Sequence, residues 1–123
     1  MRRQHSERGA AAIEFAIVVP VLALILIGTI EIGRLEAATA AAADAAREAA
    51  RSFSIGNSAV TAVAAGIAAS NMDLQPAEFD VQPAADTCPA GGLAQVTVTH
   101  DFQFLTGIMQ PVQVSAKALY ACQ

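Results

Sequence analysis

Few residues in this chain have a type and spacing that could do chemistry. They are the pair Gly9-Ala10 followed by Glu14-Phe15, the cysteines Cys88 and Cys122, and the histidines His5 and His100. His5 adjoins only Ser6 of the leader, His100 has no serine or cysteine close by in sequence, and no glycine-rich phosphate loop occurs. With His5 in the leader, His100 is the single histidine of the part after the apolar run and cannot build a triad on its own. Cys88, Cys122 and His100 fall one short of a four-ligand metal centre, because His5 lies in the leader on the other side of the apolar run. The sequence therefore predicts no catalytic residue, no metal, no cofactor and no small-molecule substrate, and the chain is not expected to be an enzyme.

Glu14 is the residue that needs explaining. It is the only ionisable side chain among the 21 residues from Ala10 to Ile30. As helix that run is roughly 30 Å long, the thickness of one bilayer core. A carboxylate inside hydrocarbon costs a few kcal/mol even on lenient insertion scales, so its position should matter. The flanks orient the span. Arg2, Arg3 and Arg8 stand against Glu7 before it, while Arg34, Arg47, Arg51 and Lys117 stand against nine acids after it. By the positive-inside rule the N-terminus is expected in the cytoplasm and the rest outside. The net charge of −4 is the sum of a basic leader and an acidic remainder, and leaves no basic patch for nucleic acid.

Cys88 and Cys122 both fall in the part assigned to the outside, where thiols can be oxidised. A bridge between them would close about 35 residues and stabilise a small domain by about 3 to 4 kcal/mol on the loop-entropy model. Two separate buried thiols are the alternative.

The elements that must position these residues follow from periodicity. After the span, "EIGRLEAATAAAADAAREAARSFSIG" consists mainly of strong helix formers, with Glu31 and Arg34, and Glu48 and Arg51, at i, i+3. Asp44, Arg47, Glu48 and Arg51 gather near one side of the wheel and leave an alanine face suited to close packing. Gly56 and Asn57 are the first stop signal, and Pro20, Gly28 and Gly33 are places where the helix could bend. A second helix is expected in "NSAVTAVAAGIAASN", with Val60, Val63, Ala64, Ile67 and Ala68 as its apolar face packed on the domain.

From Gln75 the period changes to two. In "AQVTVTHDFQF", Val96, Val98, Phe102 and Phe104 face one way and Thr97, Thr99, Asp101 and Gln103 the other. His100 falls on the apolar face, as a core-edge histidine with its nitrogens satisfied. In "VQVSAKALY", Val112, Val114, Ala116, Ala118 and Tyr120 align. The two runs predict an antiparallel pair, with a third short strand near Phe79 and Val81 and helix covering one face. The expected class is α+β: a long N-terminal transmembrane helix extending into a small antiparallel sheet domain. Its parts are a leader over 1–9, a span over 10–30, an extracytoplasmic continuation of the helix over 31–56 and a small α+β domain over 57–123.

Three stretches resemble TadE-like pseudopilins, the minor pilin-like proteins of tight adherence (Tad/Flp) pilus systems. They are "RGAAAIEFAIVVPVLALILIGTIEIGRL", the alanine-rich "AADAAREAAR" and, more loosely, "VTVTHDFQFLTGIM". The family usually has proline after the FLT turn, where this chain has Gly107. The resemblance implies a prepilin peptidase that reads the junction of basic leader and apolar helix and cuts between Gly9 and Ala10. Glu14 would then be the fifth residue of the mature chain, near a freed α-amine of its own or of a neighbouring subunit. An acid costly to a lone helix becomes a partner when helices pack side by side. The implied role of Glu14 is registration of subunits or docking onto an assembly platform.

On this reading the protein is a single-pass inner-membrane pseudopilin with its C-terminal domain in the periplasm or outside. Its expected partners are the membrane, a prepilin peptidase, other pilins and pseudopilins, and the inner-membrane pilus assembly platform. The competing readings are an unprocessed signal-anchored envelope protein with a small periplasmic binding domain, and a secreted protein cleaved after small residues such as Ala38-Thr39-Ala40.

Overall fold

The structure, a computed structural model, describes residues 3–123, with side chains from Gly9 onward. The leader side chains used above to orient the span, those of Arg2, Arg3, Glu7 and Arg8, lie outside the described residues, as does His5. The elements run α1 (Arg3–Ser54), α2 (Ala59–Ala69), a short 3-10 turn (Pro76–Glu78), β1 (Phe79–Gln82), β2 (Leu93–Phe102) and β3 (Val112–Ala121). The chain divides between Arg34 and Leu35 into two compact units.

The first unit is the N-terminal part of α1. Helix formers and aliphatic residues fill it, and Pro20 lies inside it without ending it. From Gly9 to Ile30 every residue is exposed, including Ile13, Phe15, Ile17, Leu24 and Leu26. Near its end Arg34 Nη1 donates to Glu31 Oε2 at 3.0 Å, the i, i+3 pair expected from the spacing.

The second unit is helix on sheet. The alanine face of α1 is what the wheel suggests: Ala38, Ala42, Ala45, Ala46, Ala49, Ala50 and Phe53 are buried. Asp44–Arg47 at 3.1 Å and Glu48–Arg51 at 3.7 Å lie on the solvated side. The helix stops at Ser54, and Gly56 takes a φ of 91°, which favours glycine.

The sheet is three-stranded and antiparallel in the order β1-β2-β3. Val98 faces Phe79 on one side and Ala116 on the other, and Phe102 faces Val112. The inward residues Ala94, Val96, Val98, Phe102, Val114 and Ala118 are buried with the alanines of α1, as strict alternation requires. A main cluster joins Ala38 to Ala50 with Val96, Val98, Phe102 and Val114, and a second gathers Phe53, Ala62, Cys88, Ala94 and Cys122.

The second helix exists, and Ile67 of its expected face packs against the main cluster, but its most buried residues are others. Ala62 and Gly66 are the buried residues of α2, whereas Val60 is 81% exposed and Ala64 and Ala68 are exposed too. Close approach explains the difference. A Cβ built on Gly66 would stand 2.7 Å from the Ala45 carbonyl oxygen and 2.9 Å from the Ala49 Cβ. Only the smallest residues fit such a helix contact, so it selected size over hydrophobicity. Ser58 caps α2, its hydroxyl accepting from the Thr61 N–H at 3.2 Å.

Candidate functional site

The residues singled out at the N-terminus all lie on α1, which holds them on one continuous helical backbone. Gly9 and Ala10 are exposed, and nothing lies within 4 Å of a Cβ built on Gly9. Gly9 does not occupy the left-handed region either. A glycine inside a helix costs about 0.5 to 1 kcal/mol relative to alanine. The fold supplies no reason for that cost.

Ala10 precedes Glu14 by four residues, so both lie on one side of α1, about 6 Å apart along its axis. Glu14 is exposed. Its other helical neighbours on that side, Ala11, Ile17 and Val18, are apolar, and among the described residues no hydrogen bond or ion pair engages its carboxylate.

The structure joins Cys88 and Cys122 in a disulfide, with Cα atoms 5.8 Å apart, within the usual range for a bridge. Both residues are 7% exposed and belong to the cluster around Phe53. The bridge ties the loop after β1 to the end of β3. The neighbouring backbone closes the same corner, Cys122 N–H donating to Gly92 at 3.0 Å and Gln123 N–H to Ser54 at 3.0 Å.

His100 stands two residues beyond Val98, where the ladder of β1 on β2 begins at Phe79–Val98. There its Nδ1 meets Glu78 Oε1 at 2.6 Å, while the other oxygen of Glu78 accepts from the Gln75 N–H. One carboxylate thus closes the turn before β1 and satisfies the histidine at the core edge. Among the described residues no three His, Cys, Asp or Glu side chains gather as metal ligands would.

Two features escaped the sequence reading. Val60, Val63 and Ile67 of α2 line a groove of about 400 Å³ with Pro76, Phe79 and Val81. The loop between β2 and β3 leaves Leu105 70%, Ile108 84% and Met109 56% exposed. The signal for the loop was present: from Phe102 to Ala116 the chain has no charged residue.

Among the described residues one helix is long and apolar enough to cross a membrane, and a small helix-on-sheet domain follows it, an α+β architecture with one candidate membrane span. Within that class, residues 9–51 match the family described as TadE-like protein. The part of the chain that carries Gly9, Ala10, Glu14 and the alanine face is thus TadE-like, as the sequence resemblance implied. No curated protein and no solved structure matches the chain.

Proposed function

We propose that this protein is a pseudopilin of a Tad/Flp-type adhesive pilus system, acting in pilus assembly through helix packing and not through catalysis. The observation that carries the reading is the TadE-like helix itself: a membrane-length apolar surface, wholly exposed, interrupted only by Glu14. Such a surface needs lipid or other helices to cover it. On this reading the protein sits in the inner membrane by one span, N-terminus in the cytoplasm, with the disulfide-bearing domain on the oxidising side.

A prepilin peptidase cuts between Gly9 and Ala10. The glycine that the fold does not require supports this, because an external reader of the junction would require it. The freed amine of Ala10 then meets Glu14 of its own or of a neighbouring helix, and the ion pair registers subunits or docks them on the assembly platform. N-terminal sequencing of the mature membrane protein tests processing. Ala10 as the first residue supports the reading, and Met1 overturns it.

A second reading, an unprocessed signal-anchored envelope protein whose small domain binds a periplasmic partner, is favoured by the groove along Val60, Val63, Ile67 and Val81. It predicts Met1 in the same measurement.

A further inference from the structure

The β2–β3 loop combines a fixed root with a bare apolar tip. Phe102 and Phe104 meet edge to face with ring centroids 5.2 Å apart, and Phe104 packs against the main core. The Gly107 N–H closes a turn onto the Phe104 carbonyl at 3.3 Å, with Gly107 at a φ of 62°, and beyond that root Leu105, Ile108 and Met109 are exposed. The loop carries Thr106 and Gln110 but no charge, the nearest charges in sequence being Asp101 and Lys117, on the strands.

The end of the domain at which this tip lies follows from the second unit alone. At one end Gln123 is bonded to Ser54, and Phe53 clusters with Ala94 and Cys122. From there β2 runs to Phe102, about 30 Å away at strand rise, while α1 runs back from Ser54 to Leu35 over about 28 Å. Ala38 shares a cluster with Phe102 and Val114, and Leu35 and Phe104 both pack against it. The hairpin tip is therefore at the Leu35 end, where the chain passes into the membrane-length part of α1.

We propose that the loop from Leu105 to Met109 is a membrane-interface contact, which dips Leu105, Ile108 and Met109 into the headgroup and upper acyl region of the bilayer that α1 crosses. The inference rests on the reading of α1 as a membrane span. Both apolar features leave the domain at one end, and an uncharged apolar tip there suits a lipid surface. The contact covers the tip until a subunit is withdrawn from the bilayer.

The chain contains no tryptophan, so single tryptophans report cleanly. The full-length protein is reconstituted in phosphatidylethanolamine–phosphatidylglycerol vesicles as Ile108→Trp, Val60→Trp and Ile17→Trp. Emission is read in unlabelled lipid and in lipid brominated near the ester end or near the methyl end of the acyl chain. Val60, equally bare but packed near the Phe53 end through its neighbour Ala59, controls for indiscriminate apolar contact.

The expected result is blue-shifted emission from Ile108→Trp that loses more intensity to the shallow bromines than to the deep ones. Val60→Trp should stay red-shifted and unquenched, and Ile17→Trp should be quenched. Red-shifted, unquenched emission from Ile108→Trp beside a quenched Ile17→Trp overturns the loop contact and leaves the span standing. Blue-shifted but unquenched emission from Ile108→Trp shows that protein, such as a second copy, covers the tip, and also overturns it. An unquenched Ile17→Trp removes the membrane reading of α1 and this inference with it.

Discussion

Gly66 of α2 rests so closely on the Ala45 carbonyl of α1 that a single added methyl would stand 2.7 Å from the oxygen. The oxygen belongs to a helical backbone, which cannot yield as a flexible side chain would. Two small-residue surfaces, Ala45 and Ala49 on one helix and Ala62 and Gly66 on the other, thus set how α2 lies in the domain.

Gly66→Ala should therefore destabilise the protein. Helix propensity favours alanine by about 1 kcal/mol, but forced overpacking costs about 1 to 3 kcal/mol, and contact with both Ala45 and the Phe79 ring puts this site toward the upper figure. Thermal unfolding of the full chain in detergent, followed by circular dichroism, should show a lower midpoint. An unchanged or higher midpoint would mean that the helices separate freely and that the close contact is not selective.

Loss of the disulfide should cost more. Cys88 and Cys122 are 34 residues apart, so opening the bridge is expected to remove about 3 to 4 kcal/mol on the loop-entropy model. Thiol labelling of the denatured, unreduced protein should find both cysteines blocked, and Cys88→Ala with Cys122→Ala should unfold well below the parent. Full labelling without reductant would show that the native protein lacks the bridge.

Glu78 is predicted to matter through both carboxylate oxygens. Glu78→Ala removes the partner of His100 and the acceptor for the Gln75 N–H, for a loss of about 1 to 3 kcal/mol. Glu78→Gln keeps one acceptor oxygen and should lose less. Equal stability of the two variants in urea titrations would show that the double role is not energetic.

The strands were legible in the sequence because their alternation is a local pattern: Val96, Val98, Phe102, Val114 and Ala118 are buried as the pattern assigned, while Val112 and Tyr120, aligned with them near the ends of β3, stay exposed. The alanine face of α1 was legible for a similar reason, since its charges cluster on one side. The packed face of α2 was not. Periodicity ranks residues by apolarity, and of the face it pointed to Ile67 packs on the main cluster while Val60, Ala64 and Ala68 stay exposed; the closest contact was decided by the room beside Ala45, which appears only once the helices meet. His100 could be assigned to the core edge, but its partner could not, because Glu78 is 22 residues away and is brought alongside by the β1–β2 ladder. At the N-terminus the candidate residues were read directly, since a junction and an acid in an apolar helix are features of sequence, and the fold adds that neither is explained by packing within the chain.

Gly9→Leu is expected to fold as the parent does, since nothing lies within 4 Å of the added Cβ, yet to keep its leader. Intact mass and N-terminal sequencing of the membrane fraction read this directly. A Gly9→Leu protein that still begins at Ala10 would remove the glycine from the recognition of the junction.

Glu14→Gln separates processing from assembly. The proposed peptidase depends mainly on the leader and Gly9, so the variant should be inserted and cut nearly as well as the parent. Glutamine keeps the size and some hydrogen bonding while removing the charge, and an uncharged residue enters the bilayer at lower cost, so poorer insertion cannot account for a defect. What is lost is the partner of the freed amine at Ala10. Breaking one member of a buried ion pair costs about 3 to 5 kcal/mol, and less where the amine can reach interfacial water. That is comparable to the whole free energy of a weak helix contact. Pilus formation and co-purification with assembly proteins should therefore fail in Glu14→Gln while its N-terminal sequence still starts at Ala10. Since the other residues beside Glu14 on that face, Ala11, Ile17 and Val18, carry no charge, no second intrachain acid can take over the role. A Glu14→Gln protein that assembles normally would show that the carboxylate is merely tolerated in the helix, and the registration mechanism would be wrong.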